Sequence, residues 1–113
     1  MTPEAFEAAA LALPAATVSV QWGDDRVYKV GGKMFAVLGP NGSFSFKATD
    51  IAFEALTESG EAKPAPYMAR AKWVWFDGLG VMPLDELKGY LKTAHELVAA
   101  KLTKKQRAEL GLS

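Results

Sequence analysis

The first apolar residues of the chain recur at helical spacing. At positions i, i+3, i+4 and i+7 stand Phe6, Ala9, Ala10 and Leu13. One face of an α-helix presents residues at this spacing, so the stripe predicts a helix with one buried side. Thr2 followed by Pro3 is typical of an N-cap with proline at the first helical position. We expect this helix to end at Pro14.

Apolar and polar residues alternate in the four segments that follow, which is the period of a half-buried β-strand. These segments are residues 17–22, 26–30, 33–38 and 43–47. The turns between them are short and rich in glycine, and connections this short link antiparallel neighbours, so we predict a meander. Strict alternation places on one face of the first strand Val18, Val20 and Trp22, and on one face of the third strand Lys33, Phe35 and Val37.

The second half of the chain adds three helices and one strand. We predict a short helix capped by Thr49 that reaches Leu56, a strand at 73–76, a helix at 83–102, and a last helix that begins with a capping box at Thr103 and Gln106. The segment 61–72 contains two prolines and is predicted to be irregular. The order α-β-β-β-β-α-β-α-α favours one α+β domain over residues 1–113, with a single twisted antiparallel sheet packed on helices.

Composition excludes several kinds of site. The 113 residues carry 13 basic and 13 acidic side chains and no cysteine. Without cysteine there are no disulfides, Fe–S clusters or cysteine-bound zinc, and the chain suits a reducing cytoplasm. The N-terminal segment has acids and no base, and no apolar run reaches the ~20 residues that cross a bilayer, so we expect a cytoplasmic protein. Zero net charge argues against a histone-like binder.

Catalytic and metal-binding patterns are missing from the sequence. His95 is the only histidine, and Glu96 beside it on the same helix cannot face it. A lone helical histidine is expected at the surface or boundary of a protein. The aspartates at 24–25 suit a turn better than a metal site, and the glycines at 31–32 join two strands instead of opening a helix, as a phosphate-binding loop requires. We therefore predict a non-enzymatic protein without metal or cofactor.

Basic residues are concentrated in two stretches that contain no acid. Residues 26–49 hold four bases and residues 62–76 hold three. Basic side chains contact nucleic-acid phosphates, and aromatic faces stack on bases. The candidate nucleic-acid-binding residues are Lys29, Lys33, Lys47, Arg70 and Lys72. The alternative is that the lysines only solubilise a sheet face and protect its edges.

An aromatic groove is the second candidate site. Large aromatic residues occupy both faces of the strand at 73–76, which is typical of a strand that is buried twice or lines a groove. The candidate groove residues are Trp22, Tyr67, Arg70 and Trp73. An arginine beside aromatic rings suits a planar anionic ligand. The sequence leaves two alternatives for the partner, which use overlapping residues. One is DNA, and the other is a small anionic ligand or a protein. The sequence does not set the oligomeric state.

Several segments, in a fixed order along nearly the whole chain, carry a family resemblance. They are residues 21–23, 28–36, 44–47, 65–74, 96–98 and 104–107, which read QWG, YKVGGKMFA, FSFK, APYMARAKWV, ELV and KKQR. Together they resemble the MmcQ/YjbR-like family of small bacterial proteins.

The resemblance implies a frataxin-like (CyaY-like) α+β fold, in agreement with the elements predicted above. It also implies DNA binding through a pair of wing-like hairpins with basic residues. In this chain such hairpins would use Lys29, Lys33, Lys47, Arg70 and Lys72. The resemblance to frataxin would imply iron binding by an acidic ridge on the first helix and strand. The acids in that region of this chain are too sparse for such a ridge: Glu4, Glu7, Asp24 and Asp25.

Overall fold

The computed structural model describes residues 1–66 and 68–112, and within them it contains four α-helices and six strands. The helices are α1 (Pro3–Leu11), α2 (Asp50–Glu58), α3 (Leu84–Ala99) and α4 (Lys104–Glu109). The strands are β1 (Thr17–Gln21), β2 (Asp25–Val30), β3 (Lys33–Leu38), β4 (Phe44–Lys47), β5 (Lys63–Pro64) and β6 (Trp73–Phe76).

The six strands form one antiparallel sheet in the order β1-β2-β3-β4-β6-β5. Strands β1 to β4 are neighbours in space as they are in sequence, which confirms the predicted meander. Strand β6 then pairs with β4 after the chain has passed through α2 and β5. Helices α1 and α3 pack on one face of this sheet, so the α+β fold class is confirmed.

Threonine side chains cap three of the helices, as the sequence predicts. The hydroxyl oxygens of Thr2 and Thr49 each accept a hydrogen bond of 3.1 Å from the backbone N–H three residues later. Thr103 and Gln106 form both hydrogen bonds of a capping box at the start of α4. Each cap satisfies a backbone N–H that has no partner within its helix, which fixes the residue at which the helix begins.

The proline-rich segment 61–72 is more regular than predicted. Lys63 and Pro64 form the short edge strand β5, in which Lys63 pairs with Trp75 of β6. Proline is tolerated at a sheet edge because its missing N–H removes no ladder hydrogen bond there. A 3₁₀ turn at Ala69–Ala71 follows and brings the chain back into β6.

A β-bulge in β3 changes the faces that strict alternation assigns. Two consecutive residues of β2 pair with residues two apart in β3, which leaves Phe35 as an extra residue. Phe35 and the next residue, Ala36, are both fully buried on the helix side of the sheet, whereas Val37 packs on the opposite face. The predicted grouping of Val37 with Phe35 is therefore wrong, because a bulge shifts the alternation by one residue. Lys33 pairs with Val30 of the main core and so stays on the side of Phe35, as predicted.

Trp22 lies beyond the end of β1, in the turn to β2, and its backbone adopts a φ of +51°. Val18 pairs with Tyr28, a residue of the helix-side core, so Val18 and Val20 lie on the helix side of the sheet. Trp22 instead lines a groove on the opposite face. The predicted face that Trp22 shares with the two valines is wrong, because one left-handed residue breaks the alternation.

Stacked aromatic rings dominate the main core, which lies between the sheet and the helices. Phe44 and Phe76 stack with ring centroids 4.8 Å apart. Phe46 stacks on Phe76 at 5.5 Å and on Tyr90 of α3 at 5.2 Å. Phe6 of α1 closes the cluster, 5.4 Å from Phe44. These contacts join α1 and α3 to the middle of the sheet.

His95 belongs to this helix-side layer and is not the boundary residue that its isolation in the sequence predicts. Its side chain is almost fully buried and meets Phe35 edge-on, with ring centroids 5.5 Å apart. Its Nε2–H donates a 2.7 Å hydrogen bond to the carbonyl oxygen of Pro14. This hydrogen bond therefore links α3 to the segment that follows α1.

A smaller core covers part of the opposite face of the sheet. Its buried members are Val27, Val37, Ala65 and Trp73, and the partly buried residues packed on them are Met34, Met68 and Trp75. The segment that follows β5 supplies the cover. At Trp73 strand β6 is therefore buried on both faces, whereas Trp75 is partly buried and lines the groove, so the strand combines the two arrangements that its aromatic pattern indicates.

Gly31 and Gly32 of the β2–β3 turn provide a matched pair of substitutions. Gly31 has a φ of +59°, and a Cβ there would lie 2.7 Å from the buried Leu102 side chain, whereas Gly32 has a φ of +78° and open space. We expect Gly32→Ala to lower the free energy of unfolding by about 1 kcal/mol through backbone strain. We expect Gly31→Ala to lower it by about 1–3 kcal/mol more through overpacking. Urea unfolding measures both, and equal losses would contradict the contact with Leu102.

Candidate functional site

Four of the five predicted bases lie at one end of the sheet. Strand β2 ends where β3 begins, and antiparallel pairing brings the last residue of β4 and the first residue of β6 to the same end. Leu102, which follows α3, packs against Gly31 and so brings the end of that helix there too. We call this region the lysine end and define it by Lys29, Lys33, Lys47, Lys72 and Lys101.

The fold holds two of these lysines in place. The Lys47 ammonium donates a 2.7 Å hydrogen bond to the carbonyl oxygen of Ala71. The Lys72 ammonium lies 5.0 Å from the centre of the Phe53 ring of α2, and its backbone adopts a φ of +63°. Lys33 is exposed at the hairpin, and Lys29 is half-buried. The lysine end is thus a partly ordered cluster of cations.

Lys101 is the member of the lysine end that is not among the candidate residues of the sequence analysis. Partial burial and the neighbouring Lys101 ammonium lower the pKa of Lys47, and the Asp50 carboxylate offsets this only in part. The ammonium groups of Lys47 and Lys101 therefore lie close together and repel each other. A bound anion would relieve this repulsion.

No described carboxylate forms an ion pair with the lysine end, although Asp50 lies near enough to act on Lys47. Within residues 1–66 and 68–112, the one ion pair joins Arg26 to Glu7, at 2.9 Å, on the helix side of the sheet. The Glu7 carboxylate also accepts a 3.3 Å hydrogen bond from the Tyr28 hydroxyl. Burial, together with the Glu7 charge, raises the pKa of Tyr28 above its ordinary value. This acid thus has a structural role at α1 and leaves the lysines free.

Arg70, the fifth predicted base, lies in the 3₁₀ turn two residues before Lys72 and is exposed. It does not line the aromatic groove that the sequence analysis assigned to it. Arg70 is adjacent in the chain to Ala71, whose carbonyl oxygen accepts the hydrogen bond from Lys47, so Arg70 lies beside the lysine end.

The groove lies on the sheet face opposite the helices, toward the other end of the strands. Its cavity of about 330 Å³ has a mainly aromatic and apolar lining, and among the described residues that line it the one ionisable side chain is that of Asp25. We call it the tryptophan groove and define it by Trp22, Asp25, Val37, Ser45, Pro66, Met68 and Trp75.

Of the three predicted groove residues that the structure describes, one lines this cavity. Trp22 does, whereas Trp73 is buried beneath the covering segment, with 4% of its surface exposed. Arg70 lies elsewhere, and Tyr67 lies outside the described residues. The sequence analysis missed Trp75, which shares the alternation of Trp73 and is half-buried. Which of the two tryptophans lines the groove depends on their burial, and the alternation of the strand does not predict burial.

The basic residues and the aromatic groove are therefore two separate surfaces. The lysine end gathers the ends of β2, β4 and α3, and the groove lies near the β1–β2 and β3–β4 turns. The sequence alone could not separate them, because Arg70 belonged to both candidate sets. Substitutions can now address each surface without touching the other.

Neither a metal cluster nor a membrane-spanning helix is found in the described part of the chain. Over residues 1–66 and 68–112, no three His, Asp or Glu side chains are grouped so that they could hold a metal ion. Over the same residues, no helix combines the length and the apolar character needed to cross a membrane.

The sequence and the fold are both similar to those of known proteins. The sequence profile of the YjbR family matches residues 11–97. The fold is similar to the crystal structure of the Deinococcus radiodurans protein DR2400, described as a DUF419 domain, with a TM-score of 0.85 and 25% sequence identity. The similarity covers 99% of this chain and 89% of that one. No curated protein matches the chain at a significant level.

Proposed function

The chain belongs to the YjbR family, and from this premise and the lysine end we propose that it is a non-enzymatic protein that binds DNA through the phosphate backbone. The observation that carries the proposal is the grouping of four predicted bases and Lys101 at one end of the sheet, without an ion-paired carboxylate. A DNA partner also agrees with the expected cytoplasmic location.

Phosphate is the anion that this cluster suits. A lysine ammonium acts as a point charge on a flexible stem, and it binds phosphate without the fixed bidentate geometry that reads base edges. Contacts of this kind position a protein on nucleic acid but carry no sequence information. We therefore propose binding that depends weakly on sequence and strongly on salt.

The lysine end also offers a reason for binding beyond simple attraction. Burial and the neighbouring Lys101 ammonium lower the pKa of Lys47, so a phosphate placed between the two cations offsets their mutual repulsion. Such an anion gains from two cations at once. The hydrogen bond from Lys47 to Ala71 keeps this lysine in position before DNA arrives.

The lining of the tryptophan groove does not favour the anionic ligand that the sequence analysis considered. Arg70 does not line the tryptophan groove, and the charged side chain that does is the carboxylate of Asp25. An anion would meet like charge there, which costs binding free energy. DNA binding at the lysine end is therefore better supported than binding of a small anion in the groove.

A titration of fluorescently labelled duplex DNA, followed by fluorescence anisotropy, tests the proposal. If the protein neutralises about four phosphates, affinity falls about 150-fold between 50 and 200 mM salt, because log K falls by about 0.9 per contact for each tenfold rise in salt. A single strand of equal length gives a shallower slope of about 0.7 per contact. The absence of binding at 50 mM salt, or an affinity that salt does not change, would overturn the proposal.

A further inference from the structure

The tryptophan groove combines features that a structural role does not explain. Trp22 exposes 65% of its surface and therefore contributes little to the core. It holds a left-handed backbone conformation, which is uncommon and strained for a bulky side chain and costs about 1 kcal/mol or more. The result of that strain is an indole ring on the groove side of the sheet.

The charge of the groove favours a cation. Asp25 is the ionisable residue of the lining, and within the described chain its carboxylate takes no part in the one ion pair. The rings of Trp22 and Trp75 present electron-rich faces, to which cations are attracted. Trp75 already has a cation near it, since the Lys63 ammonium lies 5.9 Å from its ring centre. Lys63 reaches this ring from β5 and is not part of the groove lining.

The size and lining of the groove restrict the cation further. A cavity of about 330 Å³ suits a small molecule. Its lining is mainly apolar, with Val37, Pro66 and Met68 beside the two tryptophans. A head group with many N–H donors would leave most of them unpaired there, which is costly. A quaternary ammonium has no N–H donor and a bulky apolar surface, so it avoids this cost.

We propose that the tryptophan groove is a binding site for a small quaternary ammonium compound, held against Trp22 beside the Asp25 carboxylate. The indole ring supplies a cation–π contact, Asp25 supplies the countercharge, and Trp75 and Met68 close the apolar wall. This site is separate from the lysine end, and the inference does not rest on the proposed DNA binding.

Choline and 3,3-dimethyl-1-butanol are the probes for this test, because they share a shape and differ in charge. Each is titrated at constant ionic strength into ¹⁵N-labelled protein while the indole N–H signals of the three tryptophans are followed by NMR. We expect choline to shift the Trp22 and Trp75 signals to saturation and to leave the buried Trp73 signal unchanged. We expect the neutral alcohol to bind several-fold more weakly, since it lacks the cation–π contact and the attraction to Asp25.

Two variants decide which residues hold the cation. Trp22→Asn removes the indole ring and introduces a residue that tolerates the left-handed backbone. We therefore expect choline affinity to fall at least about tenfold. Asp25→Asn keeps the shape and removes the charge, and it should weaken choline binding without affecting the alcohol. A Lys29→Ala, Lys33→Ala variant should bind choline as the wild type does. Equal affinity for choline and the alcohol, shifts that do not saturate, or unchanged affinity in Trp22→Asn would each overturn the proposal.

Discussion

Replacing Lys29 and Lys33 together with alanine is expected to weaken duplex DNA binding about 60-fold at 0.1 M salt. Each phosphate contact contributes about 0.9 to the slope of log K against log salt, which is about eightfold in affinity at 0.1 M. The same variant should make that slope shallower by about 1.8. Both lysines lie at the β2–β3 hairpin, where Lys33 is exposed and Lys29 is half-buried, so the fold loses little. Fluorescence anisotropy at four salt concentrations measures the affinity and the slope.

The matched control for this variant removes two lysines from the part of α3 that is distant from the lysine end. Lys88 and Lys92 are exposed, and they lie about 13–20 Å along the helix from Lys101, at 1.5 Å per residue. Lys88→Ala with Lys92→Ala changes the net charge by the same amount and should reduce affinity only a few-fold. If the two double variants lose affinity equally, binding follows net charge and not the lysine end.

Replacing Phe46 with alanine is expected to lower the free energy of unfolding by about 3–5 kcal/mol. Phe46 is fully buried and stacks on Phe76 at 5.5 Å and Tyr90 at 5.2 Å, so it joins two strands to α3. Its removal combines the loss of buried apolar area with a cavity that rigid strands cannot close. Since a domain of this size has a stability of about 5–15 kcal/mol, much of the total would be lost. Urea unfolding followed by circular dichroism measures the change.

Ile51 supplies the control for the core prediction. It is as apolar as Phe46, but it lies on α2 with 83% of its surface exposed. Ile51→Ala should change stability by no more than about 0.5 kcal/mol, because exposed substitutions seldom do more. A loss at Ile51 comparable to that at Phe46 would show that this face of α2 is covered in solution.

The secondary structure followed from local signals wherever those signals were strong. Thr2, Thr49 and Thr103 mark helix starts because their side chains bond to backbone within the same turn, an interaction that needs no distant partner. The short turns between β1 and β4 permit only antiparallel neighbours, which fixed the order of four strands. The edge strand β5 escaped prediction because two residues carry no period and prolines usually exclude strands.

The candidate sites were predicted less completely, for reasons that particular residues show. Lys29, Lys33 and Lys47 share one end of the sheet because the meander sets the direction of their strands, so their grouping could be expected. Lys101 joins them only because Leu102 packs on Gly31, a contact between residues 71 positions apart. Trp73 and Trp75 have the same alternation, yet the segment after β5 covers one and leaves the other beside the groove.

The sequence by itself determined the fold class, the helix starts, the meander and the residue types that a binding surface needs. It did so because capping, turn length and hydrophobic period act over a few residues. The tertiary structure alone decided which face each side chain occupies after the bulge at Phe35 and the left-handed Trp22. It alone separated the lysine end from the tryptophan groove, because burial and the grouping of like charges depend on packing between distant segments.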